Sequence, residues 1–253
     1  MSGIHVAYRK STGTNFNQVE STIVLPTNCT YRDNRAVTVG NTVKYYDGAF
    51  PEFFHGFYQG STYGLDIGIL YQAGVYKLFL YCYANVASQV DSNGNKITWY
   101  TSSKTFAPAS SSTTDRTFTL KSYFANGYLV TRCYNSSGTV VASLDVYLNP
   151  TAYAAMNNNG CTINREMCLA INKNENGTCT FPAGVSFTST KFTKTKMTTV
   201  SGTVVAMTAS NTTTNHGKRD SGCDKTTTAA YYSGNVTSTT ENGYNADTAY
   251  ASV

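Results

Sequence analysis

The chain has 253 residues, of which 41% are hydrophobic and only 13% charged, with a formal net charge of +5. That length is enough to bury a core without metal or disulfide support. The Lys and Arg residues are scattered rather than gathered into a basic block, which speaks against nucleic acid as a partner, and no run of about 18 apolar residues is present to span a membrane as a helix.

Thr, Ser, Asn, Gly and Tyr dominate and Leu is sparse, a composition that favours strands over helices. Residues 4–8 and 22–25 are short apolar runs, the second stopped by Pro26, and both are expected at sheet edges. From residue 36 the alternation of Val37, Val39, Val43 and Tyr45 is interrupted at Gly40-Asn41, as in a tight hairpin or a bulged strand. Asp47-Gly48 marks a turn.

Residues 53–86 are the most apolar and aromatic stretch. After a turn at 59–61, Leu65, Ile67, Ile69 and Tyr71 alternate with Asp66, Gly68, Leu70 and Gln72, which predicts a strand. A Gln-Ala-Gly break at 72–74 leads into residues 75–83, apolar on both faces, and the two runs form an expected central hairpin. Asp91 to Asn95 reads as a turn, followed by a strand over 97–101 and a loop over 107–112. Residues 117–124, 128–134 and 139–148 form a predicted meander turned by Asn126-Gly127 and by Ser136-Ser137-Gly138. Asn149-Pro150 ends it, with one helical turn over 151–156 and a break at 157–160. Strands are expected over 163–171, over 185–197, and more weakly over 203–207 and 229–232. No linker divides the chain, so residues 1–253 read as one domain, an all-β antiparallel two-sheet β-sandwich of jelly-roll or concanavalin-like type.

The seven cysteines form no C-x-x-C pair, so zinc-ribbon and thioredoxin spacings are absent. Cys161, Cys168, Cys179 and Cys223 are the disulfide candidates, while Cys82 and Cys133 lie in apolar runs as small core residues. His5, His55 and His216 have no metal-binding spacing, and no G-x-S-x-G elbow offers a nucleophile, so no cofactor, metal or catalytic residue is assigned. Asp47, Glu52 and Asp66 are the carboxylates near the aromatic stretch. No strand carries two acids at i and i+2 or i and i+4, which argues against a sandwich glycosidase.

The informative excess is aromatic: twenty Tyr, twelve Phe and one Trp. Eight of them crowd between Tyr45 and Tyr63, too many for one core to absorb. Exposed rings stack on the C–H faces of sugars while polar neighbours meet the hydroxyls. This predicts a carbohydrate-binding site made of Tyr45, Tyr46, Phe53, His55, Tyr58, Tyr63 and Asp66. The same surface suits binding to a second copy of the chain, and long edge strands with an odd cysteine suit a self-assembling layer, filament or spore-associated structure. A third reading, a β-pore-forming hairpin in the Thr-rich tract 188–214, lacks strict apolar alternation and sets Lys near the lipid face.

Several short motifs in the last ninety residues, TINREMCLAI, KFTKTKM, NHGKRDSGC and GNVTSTTENGYNADTAYASV, together with GLDIGILYQ, resemble YrpD-type secreted proteins of spore-forming bacteria. The resemblance covers about half the chain and does not extend to residues 1–60. It implies a jelly-roll-like sandwich, exported, without an established activity. The start MSGIHVAYRK lacks a signal-peptide core, so an extracellular, cell-surface or spore-surface location requires a signal already removed. The sequence reading is thus a non-enzymatic surface protein that binds neutral carbohydrate.

Overall fold

The computed structural model describes residues 2–32, 35–39, 42–46, 48–171, 184–220 and 233–253, with residues 2, 35–39 and 42–46 described by backbone alone. Among them, one sheet has the order β16 (Thr212–Thr214), β1 (Ser2–Ser11), β13 (Thr162–Ile171), β6 (Ala49–Gln59), β7 (Tyr63–Gln72), β8 (Val75–Cys82) and β9 (Trp99–Phe106), with β17 (Lys218–Arg219) also on β1. The facing sheet has the order β12 (Val140–Tyr147), β11 (Tyr128–Asn135), β10 (Thr117–Ala125), β2 (Phe16–Val24), β14 (Ser186–Thr199), β19 (Tyr244–Ser252) and β18 (Ser233–Glu241). β3 (Cys29–Thr30) and β15 (Val204–Ala206) add to β14, and β4 (Arg35–Val39) pairs with β5 (Thr42–Tyr46) as a separate ribbon. Both sheets are antiparallel and pack face to face, so the chain is an all-β two-sheet sandwich.

The turn chemistry accounts for the tight hairpins. β7 and β8 are joined by Ala73-Gly74, β10 and β11 by Asn126-Gly127, and β18 and β19 by Asn242-Gly243. All six residues have positive φ, between 51° and 87°, the two-residue geometry whose twist matches the flanking strands. The strand period then decides what is buried: on β10, Phe118, Leu120, Ser122 and Phe124 turn inward and their neighbours turn out.

The interlayer has two apolar clusters, each drawing on both sheets. Phe53, Ile69 and Leu78 meet Phe118, Cys133, Phe187 and Phe192 in one. Phe57, Leu65 and Leu80 meet Val19, Leu129 and Val146 in the other. Phe53 and Phe187 pack edge to face at 5.3 Å, an arrangement worth about 1 kcal/mol beyond area burial. The interlayer also holds an ion network. Asp247 accepts from Arg9 Nε at 2.7 Å and from Arg165 Nη2 at 2.6 Å, and Arg165 donates further to Asn245 and Thr195. Two buried guanidiniums on one carboxylate hold Asp247 well below the usual range even though burial works the other way.

Several expectations are corrected. β1 and β2 are not edge strands: β1 lies between β13 and β16, and β2 between β10 and β14. Their partners lie more than ninety residues away in sequence, so local pattern could not reveal them. The helix, α1 (Pro150–Asn159), is longer than one turn and includes the Asn-rich segment. Asn149 caps it by accepting from the backbone N–H groups of Thr151 and Ala152, Pro150 sits at its start, and Gly160 at φ 78° ends it. The aromatic stretch is mostly core rather than surface, since β6 is buried on both faces from Ala49 to Phe57. Cys161 and Cys168 are free buried thiols, not disulfide partners. Cys161 immediately precedes β13 and Cys168 lies on it, seven residues on, so they point to opposite faces, Cys161 into the interlayer and Cys168 to the other side. Cys179, Cys223, Asp47 and the strand expected at 229–232 fall outside the described residues. No helix among the described residues is long and apolar enough to cross a membrane.

Candidate functional site

Because Phe53, His55 and Phe57 point into the interlayer, Phe54, Gly56 and Tyr58 occupy the outer face of the first sheet. Cross-strand register carries that face sideways. Asn164 and Asp66 flank Gly56, while Glu166 and Gly68 flank Phe54. Asp66 is opposite Tyr81, which is opposite Trp99. On β1 a bulge between His5 and Ala7 inserts one residue. His5 and Tyr8, three apart and therefore on opposite faces of a regular strand, are thereby both brought to the outer face.

This face has an apolar half and a polar half. In the apolar half Phe50, Phe54, Leu70 and Phe79 pack together, with Trp99 stacked on Phe79 at 5.2 Å. The polar half has two hydrogen-bonded groups, one on β6 and β7 and one on β13 and β1. Tyr58 donates to Asp66 Oδ1 at 2.5 Å. Asn164 Nδ2 contacts both Glu166 Oε1, at 3.1 Å, and the Tyr8 hydroxyl, at 3.2 Å. Glu166 Oε2 accepts from His5 Nδ1, and Asp220 Oδ2 lies 3.1 Å from His5 Nε2, in ion-pair range.

Two glycines make room for this arrangement. A Cβ on Gly56 would stand 2.5 Å from Tyr58 Cε2, 3.1 Å from Asp66 Oδ1 and 3.2 Å from Asn164 Cβ. A Cβ on Gly64 would stand 2.8 Å from Tyr58 on its other edge and 2.8 Å from Tyr83. The Tyr58 ring therefore lies down across both glycines, edge to face with Tyr83 at 6.2 Å, and Asp66 and Asn164 approach each other over bare backbone.

The electrostatics follow from burial and from like charges. Burial, and then the negative charge of Glu166, push Asp66 up to about 7, against the hydrogen bond from Tyr58. Burial also holds Glu52 well above the carboxylate range; it is 3% exposed and its Oε1 has no hydrogen-bond partner. Burial disfavours the charged form of His5, but Glu166 and Asp220 outweigh it and push His5 up to about 10. Asn164 is 5% exposed and its Oδ1 also lacks a partner.

Of the sequence-predicted site residues, Tyr58 and Asp66 come together here. Phe53 and His55 do not, since both are fully buried between the sheets. His55 Nε2 is hydrogen-bonded to Ser21 Oγ at 2.8 Å, and Ser21 is joined to Thr195, whose hydroxyl accepts from Arg165. Burial and the Arg165 charge bring His55 down to about 3. A serine next to a histidine suggests a nucleophile, but both side chains are 0% exposed and His55 Nδ1 faces no carboxylate. Tyr63 is half-buried against the second core cluster, and Tyr45 and Tyr46 lie on β5, where backbone alone is described. His5, Tyr8, Asn164, Glu166 and Asp220 were not anticipated. One signal was available: within TINREMCLAI the alternate residues Asn164, Glu166 and Cys168 form a polar row that a two-sided apolar strand does not need.

A second surface is weaker. The outer face of the facing sheet has an open groove of about 510 Å³ lined by Glu20, Thr119, Lys121, Tyr134 and Lys194 among others. It has no buried side chain lacking a partner among the described residues. No set of three His, Cys, Asp or Glu residues among the described residues is arranged to hold a metal ion. No protein-family model matches the chain, and no curated protein matches it.

Proposed function

We propose that the outer face of the first sheet binds a neutral glycan, with the sugar rings lying over Tyr58, Tyr81 and Tyr83. The observation that carries this reading is the Tyr58 ring laid flat over Gly56 and Gly64 beside Asp66 and Asn164. An aromatic plane next to unsatisfied acceptors is what a polyhydroxylated ligand needs: C–H faces stack on the ring and hydroxyls donate to the oxygens. Tyr83, 37% exposed, extends the aromatic surface at one end. The exported, surface-located part of this reading rests on the YrpD-type resemblance. The alternative is self-assembly of the chain; a thiol that locked such a contact would not be one of the five described cysteines, all of which are buried.

The test is calorimetric titration with hexaoses of glucose, xylose and mannose. Tyr58→Ala and Tyr81→Ala should each weaken binding roughly fivefold, from about 1 kcal/mol of stacking per ring. Affinity unchanged in both variants, or no binding by any of the three sugars, would overturn the proposal.

A further inference from the structure

We infer that this face also hydrolyses the glycosidic bond it holds, with Asp66 as the acid that protonates the leaving oxygen and Glu166 as the base that takes a proton from the attacking water. The inference rests on the glycan-binding reading above. A pair of acids along one strand is absent, but the fold supplies a pair across strands. Asp66 on β7 and Glu166 on β13 face the same way on either side of β6, where the side-chain-free Gly56 stands opposite Asp66 and Phe54 stands opposite Glu166. Strand spacing of ~4.8 Å and ~3.4 Å per residue set their Cβ atoms about 12 Å apart, and side-chain reach brings the carboxyl groups to about 6–9 Å. That separation leaves room for a water molecule beside the anomeric carbon.

Asn164 marks where the water would sit. Its Nδ2 is committed to Glu166 and Tyr8, which fixes the amide orientation and leaves Oδ1 as a buried acceptor without a partner. Such an atom is costly unless a water or ligand donates to it. A water there would give one hydrogen bond to Asn164 Oδ1 and place its second hydrogen toward Glu166. Glu52 Oε1 is a second buried oxygen without a partner on this face.

The step balances without any added reagent. The water oxygen forms a bond to the anomeric carbon as the bond from that carbon to the leaving oxygen breaks. Glu166 receives one water proton, and the Asp66 proton goes to the leaving oxygen. Tyr58 occupies Asp66 Oδ1 and so leaves Oδ2 to carry that proton. Asp66, pushed up to about 7, carries this proton in about half of the molecules at pH 7. His5 keeps its positive charge across the same range and orients Glu166 through Nδ1.

The experiment follows binding and cleavage together, using hexaoses of glucose, xylose and mannose labelled at the reducing end. Wild-type protein should cleave the sugar it binds. Asp66→Asn and Glu166→Gln should each cleave about 10³-fold more slowly at saturating sugar, with the affinity of each measured in the same titration. Glu166 is buried, so thermal melting of Glu166→Gln checks its fold, and half-buried Asp66→Asn stands as an independent variant. Binding by wild type without cleavage would overturn this inference and leave the binding reading in place. Cleavage that persists in a folded variant would overturn the residue assignment, and no binding by any sugar would overturn both.

Discussion

Asp66 is held where its charge is disfavoured. Burial and Glu166 on β13 raise its proton affinity, while Tyr58 on β6 and His5 on β1 oppose them; Glu52, Tyr8, Tyr81, Tyr83 and Cys168 also lie within reach of its charge. Its folded value, about 7, lies above its ordinary value of 3.8. The folded state therefore binds more protons between those two values, and the stability associated with Asp66 is lost as pH rises through about 7. Asp66→Asn should accordingly melt on the order of 5 °C higher than wild type at pH 8, with little difference at pH 4. Equal melting temperatures at pH 8, measured by calorimetry, would remove the like-charge account. His55 behaves in the opposite sense. Its folded value lies below the ordinary one, so its contribution is present above pH 6.5 and lost as pH falls toward 3.

At the level of elements, β6 and its neighbours decide what the outer face becomes. Gly56 and Gly68 both lie on that face, but a side chain at each would meet different things. At Gly56 the nearest atom is the movable Tyr58 ring, whereas at Gly68 a Cβ would collide with the Phe53 backbone carbonyl and with Phe54. Gly56→Ala should keep the fold and weaken glycan binding about tenfold by displacing Tyr58. Gly68→Ala should cost about 2–3 kcal/mol in urea unfolding. The reverse ranking would mean that Tyr58 does not lie where the site requires it. Much of this was readable from local pattern: the alternation around Asp66, the hairpins at Ala73-Gly74 and Asn126-Gly127, and the meander of β10 to β12 all follow from strand period and turn residues. Other features were not. The places of β1 and β2 inside their sheets depend on long-range pairing. The crowding of aromatics suggested surface exposure because one sequence cannot show that β6 is covered on both sides.

For the molecule as a whole, the two faces of one sheet are built differently. The inner face closes the sandwich around two apolar clusters and the Arg9–Asp247–Arg165 network. The outer face spends buried polar groups on an arrangement with two oxygens unsatisfied, at Asn164 and Glu52, which is where a binding site is expected to depart from the rules of packing. The site escaped the sequence reading for the same reason that it exists. Asp66, Glu166 and His5 are far apart in the chain and meet only through register across β7, β6, β13 and β1, and the His5 bulge has no local signature. The most direct measurement is amide and indole chemical-shift mapping with the oligosaccharide that binds in titration. The largest shifts should fall at Gly56 to Tyr58, Gly64 to Asp66, Asn164 to Glu166 and the Trp99 indole. Shifts confined to the opposite face of the molecule, around Lys121, Tyr134 and Lys194, would contradict the account.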